Sequence, residues 1–317
     1  MNTIKEQLVS IAIATYNGEK YLAEQLESIY NQNYKNIEVI ICDDKSNDNT
    51  VNILEGFKTK FGLKYSVNEY NLGVVENFEK AISKCAGEYI FLSDQDDIWM
   101  PNKIETLVNE IGDYSLIYSN GYLMNDNPQL RKISDLKWMK PFGIDSKQDE
   151  FYKYLIFNSF ILGCSLMFKR ELLNIALPIY RSHRNHDWWL VLCAENQCGV
   201  KYIDDALFYY RMHETNYSIM PKLSIQSKLF DLFSVNRVES RKLLYNNDKL
   251  IFEYLASVNL FKDLNKNKYI EVVLNQFDVK KSRISRFIFL LKTSKFIFTR
   301  NNKVTTLFQT LLRVFEN

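Results

Sequence analysis

Three carboxylates fall within four positions in the run Tyr89-Ile90-Phe91-Leu92-Ser93-Asp94-Gln95-Asp96-Asp97-Ile98-Trp99. The apolar first half reads as a buried strand, and it ends abruptly in acid. Carboxylates this close repel one another and lose hydration, a cost that a bound divalent cation relieves. Hard oxygen donors suit magnesium or manganese. A strand that delivers acids to the carboxyl edge of a sheet also places them where open α/β folds bind ligands. The bland alternative is an acidic turn that caps the next helix.

The elements around this run decide which reading it fits. Leu8 to Ala14 reads as a buried strand, Thr15-Tyr16-Asn17-Gly18 as a turn, and Glu19 to Asn31 as a helix with Leu22, Leu26 and Ile29 on one face. Ile37 to Cys42 is a second buried strand ending in Asp43-Asp44, and Ser46-Asn47-Asp48 carries N-cap chemistry for the helix after it. Leu63 to Val67 is a short strand, Val74 to Cys85 a helix, Tyr89 to Leu92 a strand, and Pro101 suits a helix start. Leu116 to Ser119 is a further strand. Such alternation predicts an α/β fold with a mostly parallel sheet and helices on both faces. The acids at Asp43-Asp44 and Asp94 to Asp97 then share one sheet edge.

Beyond residue 120 the pattern loosens. Gly121 to Ser146 reads as a long loop, Gln148 to Phe157 as a helix, Leu162 to Phe168 as a strand and His186 to Asn196 as a helix. Val200 to Ile203 and Ala206 to Tyr210 read as two short strands. After Pro221 little Gly or Pro interrupts a helical pattern. The expected organisation is a catalytic domain over 1–221, with a donor-binding half over 1–120 and an acceptor half over 121–221. A helical region over 222–317 follows.

Composition narrows the class. The chain has 317 residues, 46% hydrophobic and 25% charged, as in an ordinary folded soluble protein. A net charge of +2 argues against a nucleic-acid binder. Cys42, Cys85, Cys164, Cys193 and Cys198 form no C-x-x-C pair, which speaks against a zinc knot or disulfide framework and for a reducing compartment. The first residues hold no signal-peptide core, and no apolar stretch reaches the ~20 residues of a membrane span. A cytoplasmic location is expected, with peripheral contact at the inner face of the cell membrane.

Four ordered motifs resemble the family-2 glycosyltransferases. They are Val9-Ser10-Ile11-Ala12-Ile13-Ala14-Thr15-Tyr16-Asn17, Val39-Ile40-Ile41-Cys42-Asp43-Asp44 with its following Lys45 to Thr50, Asn71-Leu72-Gly73, and Asp94-Gln95-Asp96-Asp97. The resemblance covers roughly residues 8–215. It implies a GT-A fold, a nucleotide-diphosphate sugar as donor, and transfer with inversion. It implies further that Thr15, Tyr16 and Asp44 recognise the base, that Asp94 meets the ribose, and that Asp96 holds Mn2+ or Mg2+. For Tyr16 a buried aromatic is the competing reading, and for Asp43 a turn residue that holds its loop. Asp97 either supports Asp96 or caps the next helix.

Inversion needs a group that takes the acceptor proton. In the family an acid at the start of a late helix does so, which implies Asp187 in Asn185-His186-Asp187-Trp188-Trp189. A helix-capping acid is the competing role. Trp188 and Trp189 offer faces for an acceptor sugar, although neighbours on a helix point differently and at least one belongs to the core. Related enzymes place a histidine where His213 stands, as a further metal or diphosphate ligand, and Arg211 suits a diphosphate oxygen. His183 has only proximity in its favour.

The resemblance also implies what is missing. No Q-x-x-R-W motif is present, so one sugar per encounter is expected. Thr15-Tyr16-Asn17-Gly18-Glu19-Lys20 does not fit the Gly-rich loop of a sugar nucleotidyltransferase. The form Ser93 to Trp99 with a later His-Asp-Trp-Trp resembles the rhamnosyltransferase-like subset, with dTDP-rhamnose or a UDP-hexose as donor and bacterial surface polysaccharide as product. Between Lys280 and Val314 stand nine Lys or Arg and no acid, interleaved with Ile284, Phe287, Ile288 and Leu291. That tail over 280–317 reads either as a membrane-surface helix meeting a polyprenyl-linked acceptor or as a helix packed on the catalytic domain. The second functional reading is a catalytically silent scaffold for polysaccharide enzymes at the membrane.

Overall fold

The computed structural model describes residues 7–124, 131–135, 161–181 and 185–213, with isolated Glu253, Tyr254 and Ser257. The chain divides into two compact units, Met1–His213 and Glu214–Asn317. The expected boundary at 221, the helix over Gln148 to Phe157, His183 and the basic tail over 280–317 lie outside the described residues.

Strand β1 (Val9–Thr15) is apolar on both faces and buried along nearly all its length, as a central strand between two helical layers must be. Parallel to it lie β2 (Ile37–Asp43) on one side and β4 (Tyr89–Ser93) on the other, with β3 (Lys64–Val67) as the outer strand beside β2. The helices between them follow the apolar spacing. Helix α1 (Leu22–Tyr30) buries Leu22, Gln25, Leu26 and Ile29. Helix α2 (Thr50–Phe61) stops at Gly62, whose φ of 75° takes the left-handed conformation that closes many helices. Helix α3 (Val74–Ile82) buries Asn77, Phe78, Ala81 and Ile82.

The second half extends the sheet differently from the expected pattern. A two-strand pairing begins right after the acid run, where β5 (Ile98–Trp99) lies antiparallel to the last long strand, β9 (Val200–Arg211). Helix α4 (Lys103–Glu110) leads to β6, which runs from Leu116 to Met124 and so continues into the stretch expected to be loop. The short β7 (Arg131–Lys132) pairs with it. Gly163–Ser165 is a 3-10 turn, so only Leu166–Lys169 of the expected strand remains as β8. β8 runs antiparallel between β4 and β6. The order is β3-β2-β1-β4-β8-β6-β9-β5.

The two short strands expected between Val200 and Tyr210 are one strand. Its register against β6 shifts between Ser119 and Asn120, where Ile203 gives way to Ala206. The bulged Asp204 accepts from Asn120 Nδ2 at 2.8 Å and Tyr202 Oη at 2.7 Å, and it pairs with Lys132 at 3.0 Å. Two acids at a bulge read as a turn in sequence, yet here Asp204 binds back onto the sheet. Helix α5 (Leu173–Ala176) and helix α6 (His186–Asn196) pack together beside the sheet, and α6 starts and ends as expected. Among the described residues no helix is long and apolar enough to cross a membrane.

Candidate active site

Because β1, β2, β3 and β4 are parallel, their carboxyl ends bring Thr15, Asp43, Val67 and Ser93 to one edge. Two acid groups stand there, and they are treated very differently.

At the β2 end both acids are satisfied. Asp43 accepts from Thr15 Oγ1 at 2.8 Å, Ser46 N at 2.8 Å and Ser46 Oγ at 2.6 Å. It therefore ties β1 to the following loop, which is the turn-holding role. Asp44, 3% exposed, accepts from Leu72 N at 2.7 Å, Gly73 N at 2.8 Å and Asn68 Nδ2 at 2.9 Å. Its charge sits on the two amides just before α3, at the helix end whose dipole favours it. Tyr16 is 49% exposed beside them, so its ring is not a core aromatic.

At the β4 end the acids lack such support. Asp97 is fully buried; its Oδ2 has no geometrically satisfied hydrogen bond, its Oδ1 accepts from Arg211 N at 3.1 Å, and the Cys164 thiol lies beside the carboxylate. Burial and the Asp96 charge push its pKa up to about 7. Burial, followed by the charges of Asp97, Asp96 and Asp187, holds Asp94 well above the usual carboxylate range. Asp94, Asp97 and the Cys164 thiol bring ligand atoms within 4.8 Å of one another. Asp96 Oδ2 meets His213 Nε2 at 3.0 Å.

Two cations answer this acid. Lys103 is fully buried; its Nζ donates to the Cys164 carbonyl at 2.5 Å and stands 4.0 Å from the Trp99 ring centre and 4.6 Å from that of Phe208. Burial lowers its pKa to about 8 against the opposing pull of nearby groups that include Asp97 and Asp94. Arg211 donates from Nε to the Asp96 carbonyl at 2.8 Å and pairs through Nη2 with Glu24.

Asp187 stands in the first turn of α6. Burial pushes its pKa to about 7, and its charge in turn helps to raise Asp94. Trp188 N donates to its Oδ1 at 2.6 Å. The preceding His186 stacks on Phe78 at 4.1 Å between ring centres, and neither ring nitrogen has a hydrogen bond. Burial drives the His186 pKa down to about 3, so the ring is neutral.

An acid pair anchoring the β2 loops, a crowded D-x-D-D after β4 and a half-buried carboxylate on a distant helix meet around one edge. The sequence profile described as Glycosyl transferase family 2 matches residues 10–174. The chain belongs to glycosyl transferase family 2. It is 32% identical to the dTDP-rhamnosyl transferase RfbG of Shigella flexneri, over 64% of this chain and 72% of that one. It is 27% identical to the UDP-Glc:alpha-D-GlcNAc-diphosphoundecaprenol beta-1,3-glucosyltransferase WfgD of Escherichia coli, over 67% of this chain and 80% of that one. In fold it is similar to S. aureus TarS 1-349 in complex with UDP-GlcNAc, with a TM-score of 0.61 at 17% identity, over 98% of this chain and 90% of that one. The expected GT-A architecture is thus the observed one.

In this glycosyltransferase Asp94, Asp96, Asp97, Asp187, Arg211 and His213 come together. Trp188 and Trp189 are 2% and 3% exposed, and Trp189 Nε1 donates to the Ala176 carbonyl at 2.8 Å. Both indoles therefore face protein, and neither presents an open ring to an acceptor. Asp44 is likewise occupied by its three donors. Residues the sequence reading passed over also shape the site. Gln95 clamps the Tyr16 backbone, accepting from its N at 2.9 Å and donating to its O at 3.1 Å. Lys103, Cys164 and Tyr21 are the others. No spacing signals the cation over the indole, since Trp99 ends β5 and Lys103 opens α4.

The donor set fits a divalent cation. Asp96 Oδ2 and His213 Nε2 already converge, the buried Asp97 Oδ2 has no geometrically satisfied hydrogen bond, and burial together with the neighbouring charges disfavours ionised Asp94. A cation of the Mg2+ or Mn2+ kind answers each of these costs.

Proposed function

We propose that this glycosyltransferase moves one sugar at a time, with inversion, from a nucleotide-diphosphate sugar to a saccharide acceptor. Similarity to RfbG and WfgD favours dTDP-rhamnose or a UDP-hexose as donor, a polyprenyl-linked acceptor, and a place in bacterial surface polysaccharide synthesis. The observation that carries the reading is Asp187. It is a half-buried carboxylate whose pKa is pushed up to about 7 by loss of hydration, on a helix start that reaches the acid run electrostatically.

The chemistry follows from that placement. The acceptor oxygen attacks the anomeric carbon while the bond from that carbon to the diphosphate oxygen breaks. Asp187 takes the proton from the acceptor hydroxyl, and a pKa near the working pH suits a group that must both accept and release it. Asp94 binds the ribose hydroxyls. Asp96 and His213 hold Mn2+ or Mg2+, which when bound offsets the charge developing on the diphosphate. Arg211 adds a second positive group there once it leaves the solvated Glu24. Tyr16 and the loop that Asp44 anchors at Leu72-Gly73 receive the base.

Retention of uncompensated buried acid also separates an enzyme from a silent scaffold. A scaffold gains nothing from Asp94, Asp97 and Asp187 in ionisation-unfavourable places. The test is release of nucleoside diphosphate from a panel of sugar nucleotides with Mn2+ and a lipid-linked acceptor. One donor is expected to support release that Asp187→Asn and Asp96→Ala abolish. Release insensitive to both substitutions would overturn the assignment.

A further inference from the structure

We propose that Tyr21 is the seat on which Arg211 and His213 are held over the acid run, a positioning residue for both metal and diphosphate. The inference rests on the roles given above to Arg211 and His213.

Arg211 is the last residue of β9, and His213 follows two residues beyond the strand. The Tyr21 ring meets both. The Arg211 guanidinium carbon lies 4.5 Å from the ring centre, and the His213 ring centre lies 5.0 Å away, tilted by 35°. Lys20 Nζ adds a third contact at 4.8 Å. Three nitrogen groups around one ring repel one another when charged. They are tolerated because the ring face is electron-rich and because Glu24 and Asp96 balance them.

Tyr21 itself is well fixed. Its N donates to Gly18 O at 3.1 Å, and its carbonyl accepts from Gln25 N at 3.1 Å at the start of α1. The template thus belongs to the donor half of the unit, while the groups it holds arrive from the last strand. Arg211 is tied at several further points, to Glu24, the Asp96 carbonyl and Asp97. His213 has the Tyr21 ring on one side and Asp96 Oδ2 on the other. Loss of the ring should be felt at both groups, and so by the metal as well as the diphosphate.

The test uses the full chain with Tyr21→Phe and Tyr21→Leu, and Tyr21→Met where the leucine variant does not fold. Mn2+ binding is measured without nucleotide by electron paramagnetic resonance. Affinities for UDP against UMP, and dTDP against dTMP, are then compared in Mn2+. The leucine variant should bind Mn2+ roughly tenfold more weakly and lose part of its preference for diphosphate, while the phenylalanine variant keeps both. The His213 ring proton signal, assigned by its loss in His213→Ala, should move in the leucine variant and stay in the phenylalanine one. Tyr21→Leu combined with His213→Ala should bind Mn2+ no worse than His213→Ala alone. Additive losses, or wild-type Mn2+ affinity and diphosphate preference in a leucine variant that is merely less heat-stable, would overturn the proposal. Unchanged Mn2+ affinity in His213→Ala alone would instead overturn the metal role of His213, and with it this inference.

Discussion

The β2 end and the β4 end of one sheet edge carry comparable numbers of acids, and the protein handles them in opposite ways. Asp43 and Asp44 each collect three hydrogen bonds, mostly from backbone amides and hydroxyls of neighbouring loops. Asp97 is buried, Asp94 and Asp187 are half-buried, and all three have raised pKa values. The first pair makes the loops that shape the donor site. The second group is held in a state that only a cation, a substrate or a proton relieves. Equal chemistry in the side chain therefore becomes scaffold in one place and reactivity in the other, and the donors supplied by the surrounding chain decide which.

The largest expected effect breaks the reactive side. Asp187→Asn keeps the shape and an oxygen for Trp188 N, but it cannot take a proton. Turnover should fall by about 10²–10⁴-fold, the usual worth of a general base. Stability should move the other way. Above pH 7 the folded protein carries an ionised Asp187 in a site that disfavours it, at a cost of the order of 4 kcal/mol for a pKa displaced from 3.8 to about 7. Asparagine removes that cost, less a few tenths lost at the helix dipole. Calorimetry at pH 8 should show Asp187→Asn melting at or above the wild type. A clear drop would mean that Asp187 is a helix cap and not a poised base.

The mirror experiment is Asp44→Ala, on the satisfied side. It strands Leu72 N just before α3, while Gly73 N keeps Asn71 Oδ1 at 3.1 Å and Asn68 Nδ2 keeps Asn77 Oδ1 at 2.9 Å. A loss of roughly 3 kcal/mol in denaturant unfolding is expected, since one buried donor left alone costs about 1–3 kcal/mol and two more hydrogen bonds to a charged group are lost with it. Nucleotide affinity should fall with it, because the Leu72-Gly73 loop loses its anchor. A stable variant with weakened base selectivity would show that Asp44 touches the base directly.

The difference between the two clusters was only half visible in sequence. Apolar runs ending in Asp43-Asp44 and in Asp94 to Asp97 placed both at one edge, because parallel strands announce their carboxyl ends. Which acids would find donors was not visible, since the partners come from residues as distant as Leu72 and Arg211. β8 was expected as a strand, but nothing local says that Leu166–Lys169 inserts antiparallel between β4 and β6. Lys103 follows the helix start at Pro101 with no local sign of burial, and only the fold wraps Trp99, Phe208 and Cys164 around it. The burial of both tryptophans corrects the expectation of a sugar-facing ring, although a signal for it was present. Trp188 to Ala194 is apolar without a break, and a helix apolar all round has no solvent face.

A pH series sharpens the comparison without mutation. Asp187 binds its proton more tightly in the folded chain than in the unfolded one. Between about pH 4 and 7 the folded state therefore holds more protons, and the contribution of this group to stability declines as pH rises through that window. Turnover should do the reverse, rising through about pH 7 as Asp187 ionises and then levelling. In Asp187→Asn the stability profile should flatten over the same range. If wild-type and variant melting temperatures keep a constant gap from pH 4 to 8, the raised pKa is wrong.

The smallest effect compares two glycines. Gly56 lies mid-helix in α2 with nothing within 4 Å of an added Cβ, so Gly56→Ala should stabilise by roughly 1 kcal/mol and leave turnover alone. Gly163 is different. A Cβ there would stand 3.3 Å from His186 Nε2 and 3.9 Å from Asp187 Cβ. The imidazole must give by a few tenths of an ångström, and Phe78 stacked on it resists. His186 opens the helix turn that carries Asp187, so the shift reaches the base. A misplacement near 1 Å can cost about a hundredfold in rate, and one of a few tenths should cost only severalfold. Gly163→Ala should therefore lower turnover about threefold while its unfolding free energy stays within roughly 1 kcal/mol of wild type. Equal turnover in both alanine variants would mean that the base has slack, and that its burial, not its exact height, is what the protein maintains.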